Sequence, residues 1–569
     1  MLTGHWKGMV RIMEKILDEN YYDLIIDNVM VPYYDIGNNI TYMNDRHSLL
    51  HVLAGQIDPC DLGANAYHRF PSIYILTSQI SLEKSGVIEV QRNPALGLYG
   101  TGAIVGIIDT GIDYRHPAFK HNDGTTRILS IWDQTIQSGT PPEDMVYGSD
   151  YPKELINLAL RSADPLSIVP TIDENGHGTA IASIAAGKPD EAQGFSGVAP
   201  EAELVVVKLK PAKYNLREVS FVPDDILCYQ ESDMILAARY ILSVAQRLNR
   251  PVALCIALGS SSGSHDGQGA ASSYFDYITR FSQICVAISA GNEGNSNRHY
   301  YGNTTQAPYQ SEFELRVGNQ DRLFSMEIWP YAPSRLSIEI TSPSGESTSL
   351  IYPRINSCER FNFVFNQGTI WVNNYSFEEE TGEQLILLRF ENPISGIWRF
   401  QLYNLENEPF SFHTWLPAGN IISPETYFLQ ANPDTTILSP GNSVYTMTVT
   451  AYNQNNDSIL IDSSRGYSRT GLPQPNLAAP GFDLTCALPN NQYGSLTGTG
   501  AATAHTTGII ALLFEWAVSR GNYTSITGVD INHLLIRGAS RSPTTSYPNN
   551  IWGYGQVNIN GVFERLAIF

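Results

Sequence analysis

Four apolar runs of strand length constrain this chain more than anything else in it. AIVGII leads into Asp109, LVVV begins at Leu204, VALCIAL at Val252 and ICVAIS at Ile284. Each run is apolar at odd and even positions alike, so both faces of the strand must be covered. Parallel strands with helices on either side meet that demand. The segments between them agree. After Ser232, read as a helix cap, Ile235, Ala238, Leu242, Ala245 and Leu248 recur at helical spacing. The expectation is α/β, a doubly wound parallel sheet.

Near Gln310 the rhythm changes to period two. Phe313/Leu315/Val317, Phe324/Met326/Ile328, Leu336/Ile338/Ile340, Ile386/Leu388/Phe390 and Trp398/Phe400/Leu402 alternate with polar residues, and turn residues separate the runs. That pattern predicts a β-sandwich. The α/β texture then resumes in TMTVTAY and in a long apolar helix after Gly500. The sandwich is therefore expected as an insertion. The expected organisation is an N-terminal α/β segment over 1–96, an α/β domain made of 97–309 and 436–569, and the insert over 310–435.

A length of 569 residues suits two to four such units. With a formal net charge of −21, the chain repels phosphate backbones and anionic lipid, so nucleic acid and membrane are not expected as partners. No stretch reaches the ~18 apolar residues of a membrane span. The N-terminus lacks a continuous apolar core and a cleavage site, so no classical secretory signal is expected and the chain reads as cytoplasmic. Met13 is an equally sensible start, which places the first dozen residues outside the fold. Six cysteines, Cys60, Cys228, Cys255, Cys285, Cys358 and Cys486, show neither CxxC spacing nor histidine partners. They read as reduced or buried thiols, with no disulfide framework, no metal site and no cofactor expected.

Chemistry concentrates at the ends of the apolar runs. Asp109 closes AIVGII and is followed by Thr110-Gly111; parallel strands present ligand-facing residues there. His177 lies between two glycines in Asn175-Gly-His-Gly-Thr-Ala, where a small-residue helix begins and another backbone can approach closely. Asn292, in Ser289-Ala-Gly-Asn-Glu-Gly, has a side-chain amide able to donate to a developing oxyanion. Gly498-Thr499-Gly500-Ala501 enters an apolar helix, where free N–H groups and the helix dipole favour negative charge. Each element alone has a plain structural explanation: a turn aspartate, a buried histidine, a turn asparagine, a helix start.

Together and in this order they resemble the subtilisin-like serine proteases (subtilases). DTGID at Asp109, NGHGT at His177, GVAPEAELVVVK at Gly197, SAGNEG at Asn292 and PNLAAPG at Pro475 are similar to family motifs. The resemblance implies an aspartate–histidine–serine triad, with Asp109 orienting His177 as base and Asn292 in the oxyanion hole. It puts Gly500 where the nucleophilic serine belongs. His505 keeps its usual place, read as a structural helix residue, and Ala504 replaces the common proline. Ser495 precedes the elbow by more than a turn, and the Thr499 hydroxyl is expected to point elsewhere. The pocket walls near Leu258-Gly-Ser and Ala290-Gly are generic and name no preferred side chain.

The layout further resembles the Csp proteins of spore-forming clostridia. That likeness implies a jelly-roll insert, the chain's own prodomain in the cleft, a protein or peptide substrate or partner, a spore-associated location and a role in germination. Two functions follow as expectations. One is a proteolytically inactive pseudoprotease acting in regulation. The alternative is a serine endopeptidase processing a protein precursor, in which Gly500 is a variant or engineered change; its reversion to serine would restore cleavage near the Arg92–Tyr99 junction.

Overall fold

The computed structural model describes residues 15–34, 39–57, 60, 62, 65–76, 84–355, 358–364 and 368–567. The expectation about the first dozen residues lies outside them. The apolar runs form the middle of a nine-stranded sheet. Across it lie Ile128–Asp133, Glu203–Lys208, Ile104–Asp109, Val252–Ile256, Ile284–Ser289, Met447–Asn453 and Leu477–Pro480, each parallel to its neighbour. Antiparallel strands Ser149–Pro152 and Ser458–Ile459 complete it.

The two-faced burial read from the sequence is real. Val105 and Ile107 enter one core with the helices His177–Ala186 and Thr499–Phe514. Ile104 and Ile108 enter another with the helices Glu231–Leu248 and Ala270–Thr279. Helices therefore cover both faces of the sheet. Ser232 lies inside its helix instead of capping it; Gln230 holds the cap position. The Glu231 side chain is engaged there, accepting from the Ser72 and Ala271 N–H groups. The helix from Thr499 on to Ser519 is long and apolar enough for a bilayer, contrary to expectation. Its most apolar stretch is 89% buried inside the protein.

The period-two region forms a six-stranded and a four-stranded antiparallel sheet. The predicted inward residues, among them Phe313, Ile328, Ile338, Leu388 and Phe400, share one core. The larger sheet already includes His299–Thr304, ahead of Gln310, a strand whose HYYGNT sequence has too little alternation to announce itself.

The N-terminal residues form an antiparallel sheet of Tyr21–Asp27, His47–Leu53 and Ile40–Tyr42. Ile25, Met43 and Leu49 join the core around the helix Glu231–Leu248. A further apolar cluster combines Leu24 and Ile73 from this segment, Leu216 from the α/β domain, and Trp329 and Leu387 from the inserted sheets. Three parts of the chain thus meet in one core.

One expectation is overturned. Cys60 and Cys358 form a disulfide, with Cα atoms 5.4 Å apart and a sequence separation of 298. A pair joining two separate structural units leaves no spacing signature, so the sequence could not reveal it. Cys228, Cys255, Cys285 and Cys486 are free and buried.

Candidate active site

Asp109 ends its strand fully buried, and its Oδ1 accepts from the Thr110 N–H and from His177 Nδ1, each at 2.7 Å. A carboxylate at Nδ1 fixes the neutral imidazole with its proton on that nitrogen, so Nε2 keeps a lone pair. Such a ring is a positioned base. His177 opens the helix His177–Ala186 after Gly176, whose φ of +87° suits glycine. A Cβ on Gly178 would lie 2.2 Å from the Gly111 oxygen. The second glycine therefore lets the histidine helix seat directly on the turn after Asp109.

Sequence reasoning missed the residue that organises this joint. Asp173 is 4% exposed and accepts from Gly176 N–H (2.8 Å), Thr179 N–H (2.8 Å), Thr179 Oγ1 (2.7 Å) and Thr110 Oγ1 (2.8 Å). Thr110 Oγ1 in turn accepts from the Gly178 N–H at 2.8 Å. One carboxylate thus satisfies donors at the helix start and ties the helix to the Asp109 turn. The signal was present, since an acidic residue shortly before a helix is a capping cue.

Asn292 follows the strand Ile284–Ser289, and its side-chain oxygen accepts from the Thr499 N–H and hydroxyl, both at 3.1 Å. That fixes the amide orientation and leaves its NH₂ for a group in the cleft. The Thr499 hydroxyl also accepts from the Gly291 N–H at 3.1 Å, so it is committed, as its place in the turn led one to expect. Gly498, at φ +137°, precedes the helix, and Gly500 is its buried second residue. Ser495 lies on the hairpin strand Gln492–Leu496, outside the helix. His505 is fully buried against Ser85, with Nε2 and Oγ 2.6 Å apart, and burial pushes its pKa down to about 3. It is a neutral packing residue. Among the described residues, no group of three or more His, Cys, Asp or Glu side chains could hold a metal ion.

A strand of the chain lies along the same end of the sheet. Ile73–Leu76 pairs antiparallel with Leu258–Gly259, Leu76 opposite Leu258 and Ile75 opposite Gly259. This is how an extended peptide adds to a sheet edge. Nine residues after Leu76, Ser85 rests on His505, further along the Gly500 helix. By contrast, the Tyr99, Gly100 and Thr101 N–H groups bind Glu515 at 2.7, 2.7 and 3.1 Å, beyond the far end of that helix. At 1.5 Å per residue this is about 20 Å from Gly500. Self-cleavage near Arg92–Tyr99 is therefore out of reach in this arrangement.

Sheet, helices and site together define a subtilase. The subtilase family model matches residues 100–363 and 414–555, and the chain belongs to that family. Among solved structures, it is similar to the CspB protease of Clostridium perfringens. The TM-score is 0.75 at 30% identity, covering 85% of this chain and 98% of that one. It is also similar to the C5a peptidase of Streptococcus pyogenes serotype M1, 22% identical over 451 residues, covering 73% of this chain and 34% of the relative. The minor extracellular protease Vpr of Bacillus subtilis matches at 22% over 486 residues, covering 82% of this chain and 52% of Vpr. The chain thus spans about a third of the length of the C5a peptidases it matches.

Proposed function

We propose that this chain is a proteolytically silent subtilase, a pseudoprotease that acts by binding protein partners or its own N-terminal segment. The observation that carries the reading is the joint placement of the Asp109–His177 pair and the Asn292–Thr499 contact beside a helix whose second residue is Gly500. A base and an oxyanion donor are present, but glycine offers no oxygen to attack a carbonyl. Loss of a triad member leaves roughly 10³–10⁴-fold over water, far below useful proteolysis.

In this reading 1–96 acts as a retained prodomain, whose strand Ile73–Leu76 lies in the cleft as a substrate would. The inserted sheets form a jelly-roll module that holds it there. The likeness to a clostridial Csp protein supports a role in regulating spore germination, at a cytoplasmic or spore-associated location, without nucleic acid or membrane as partner. A second reading, a precursor-processing endopeptidase in which Gly500 is a variant, is favoured by one observation. The whole Asp173 network that seats His177 is intact.

Fluorophosphonate labelling and intact mass test both. The Gly500 protein should take no label and keep its full mass; label or processing in a protease-free host would overturn the first reading. Gly500→Ser should take label and, if the strand in the cleft lies in productive register, yield a new N-terminus between Leu76 and Lys84. An unlabelled Gly500→Ser protein would refute the assignment of the site.

A further inference from the structure

Gly259 and Gly291 are the two backbone walls beside the cleft strand and Asn292. The space between them, where a ligand side chain would enter, is already filled. A Cβ on Gly259 would lie 2.8 Å from both Cβ and Cδ1 of Leu438, and a Cβ on Gly291 2.5 Å from its Cγ. The leucine therefore touches both walls, and it is 1% exposed.

Its backbone is fastened to both sides. The Leu438 N–H donates to the Ala290 oxygen at 2.9 Å. Ser439 and Ser260 exchange two backbone hydrogen bonds, at 2.8 and 2.9 Å, and the Gly441 N–H donates back to the Leu438 oxygen at 2.8 Å. A side chain so enclosed, on a backbone pinned at both ends, cannot swing aside without losing packing and opening these bonds.

We infer that Leu438 plugs the side-chain pocket of the cleft, so that this site accepts only peptides with a small residue, Gly, Ala, Ser or Thr, at the position facing Gly259 and Gly291. The inference rests on the site reading above and names its substrate class. Gly259 pairs with Ile75, and Gly291 adjoins Asn292, whose side chain holds Thr499 at the entrance of the Gly500 helix. The slot thus lies between the bound strand and the glycine at the nucleophile position. A larger side chain would have to displace a packed leucine, and overpacking a filled interior is unfavourable.

The test maps cleavage sites in an unfolded bystander protein by mass spectrometry, using Gly500→Ser and Gly500→Ser/Leu438→Gly. The single variant should cut after Gly, Ala, Ser or Thr. The double variant should gain cuts after Leu and Phe by on the order of 10²-fold. Equal cutting by the single variant after small and large residues would overturn the inference. If neither variant cuts, the site assignment has failed, and the plug is decided without catalysis by pressurising crystals of the Gly500 protein and its Leu438→Gly variant with xenon. Xenon between Gly259 and Gly291 in the variant alone upholds the plug; xenon in the parent, or in neither, overturns it.

Discussion

At the residue scale, the joint between Asp109 and His177 is held by close backbone contact and one buried carboxylate, and each supports a prediction. Gly178→Ala places a methyl 2.2 Å from a backbone oxygen that cannot move independently of Asp109. It should cost about 2–3 kcal/mol, measured as a lower urea midpoint at unchanged slope. Asp173→Asn keeps the shape but turns an NH₂ toward donors, and should cost a similar ~2–3 kcal/mol. In the Gly500→Ser background it should also slow cleavage at least about tenfold. Full-rate cleavage would show that Asp173 does not position His177. Asp109, His177, Asn292 and Gly500 were legible because each sits in a glycine-marked turn at the end of a strand or the start of a helix. Asp173 carried only the general cue of an acidic residue shortly before a helix, because its partners are mostly groups at the helix start that no side-chain pattern advertises. Leu438 escaped for a different reason: it stands with Ile437 as a short apolar pair between Thr435-Thr436 and Ser439-Pro440, and only its approach to two distant glycines gives it a role.

At the scale of elements, the α/β strands were legible from two-faced burial and the inserted strands from alternation, since periodicity reports which faces are covered. What periodicity cannot report is which separate units share a core. The N-terminal segment is fixed by contacts of that hidden kind. Asp23 reaches Lys213 at 2.8 Å and His51 at 2.7 Å, all of them buried. Burial alone would raise the Asp23 carboxyl, but Lys213 and His51 outweigh it and hold the pKa at about 2. The Cys60–Cys358 bridge adds a covalent tie to the inserted sheets, contributing up to about 5 kcal/mol if the closed loop is treated as a flexible chain. A cut made between Leu76 and Lys84 should therefore leave the N-terminal fragment joined to the rest on a non-reducing gel. Cys60→Ser should free it on that gel, yet the two should still co-elute in gel filtration through the Asp23–Lys213 contact and the shared core. Separation of the native Cys60→Ser fragments would show that the bridge alone retains the segment.

At the scale of the molecule, the seam between the inserted sheets and the α/β domain is built on neutral histidines. Trp415 is stacked with His265, His299 and His413, at ring separations of 4.0, 5.1 and 5.2 Å. His299 Nδ1 donates to the Asn432 oxygen, so its Nε2 must accept from His413 Nδ1 at 2.8 Å. The Tyr331 hydroxyl lies 3.0 Å from His413 Nε2. A second proton on His299 would bring its N–H head to head with that of His413. One on His413 Nε2 would instead face the Tyr331 hydroxyl, which donates to the Arg469 oxygen at 2.9 Å and has a lone pair free to accept, so burial and not a clash keeps His413 neutral. Burial pushes the pKa values down, to about 4 for His265, about 3 for His299 and about 2 for His413, where His299 and Arg469 add to the effect. In the unfolded chain these rings titrate near 6.5. Between pH 6.5 and 5 the unfolded state thus binds more protons at these sites, so their contribution to stability is complete above 6.5 and falls as the pH drops. Each ring removes about 1.4 kcal/mol per pH unit well below 6.5. Other groups titrate in the same window, so the measurement is a difference. The melting temperature of His413→Gln should start lower at pH 7 but decline less steeply toward pH 5 than that of the unchanged chain. Parallel declines would mean that His413 opens to water and takes its proton without breaking the seam.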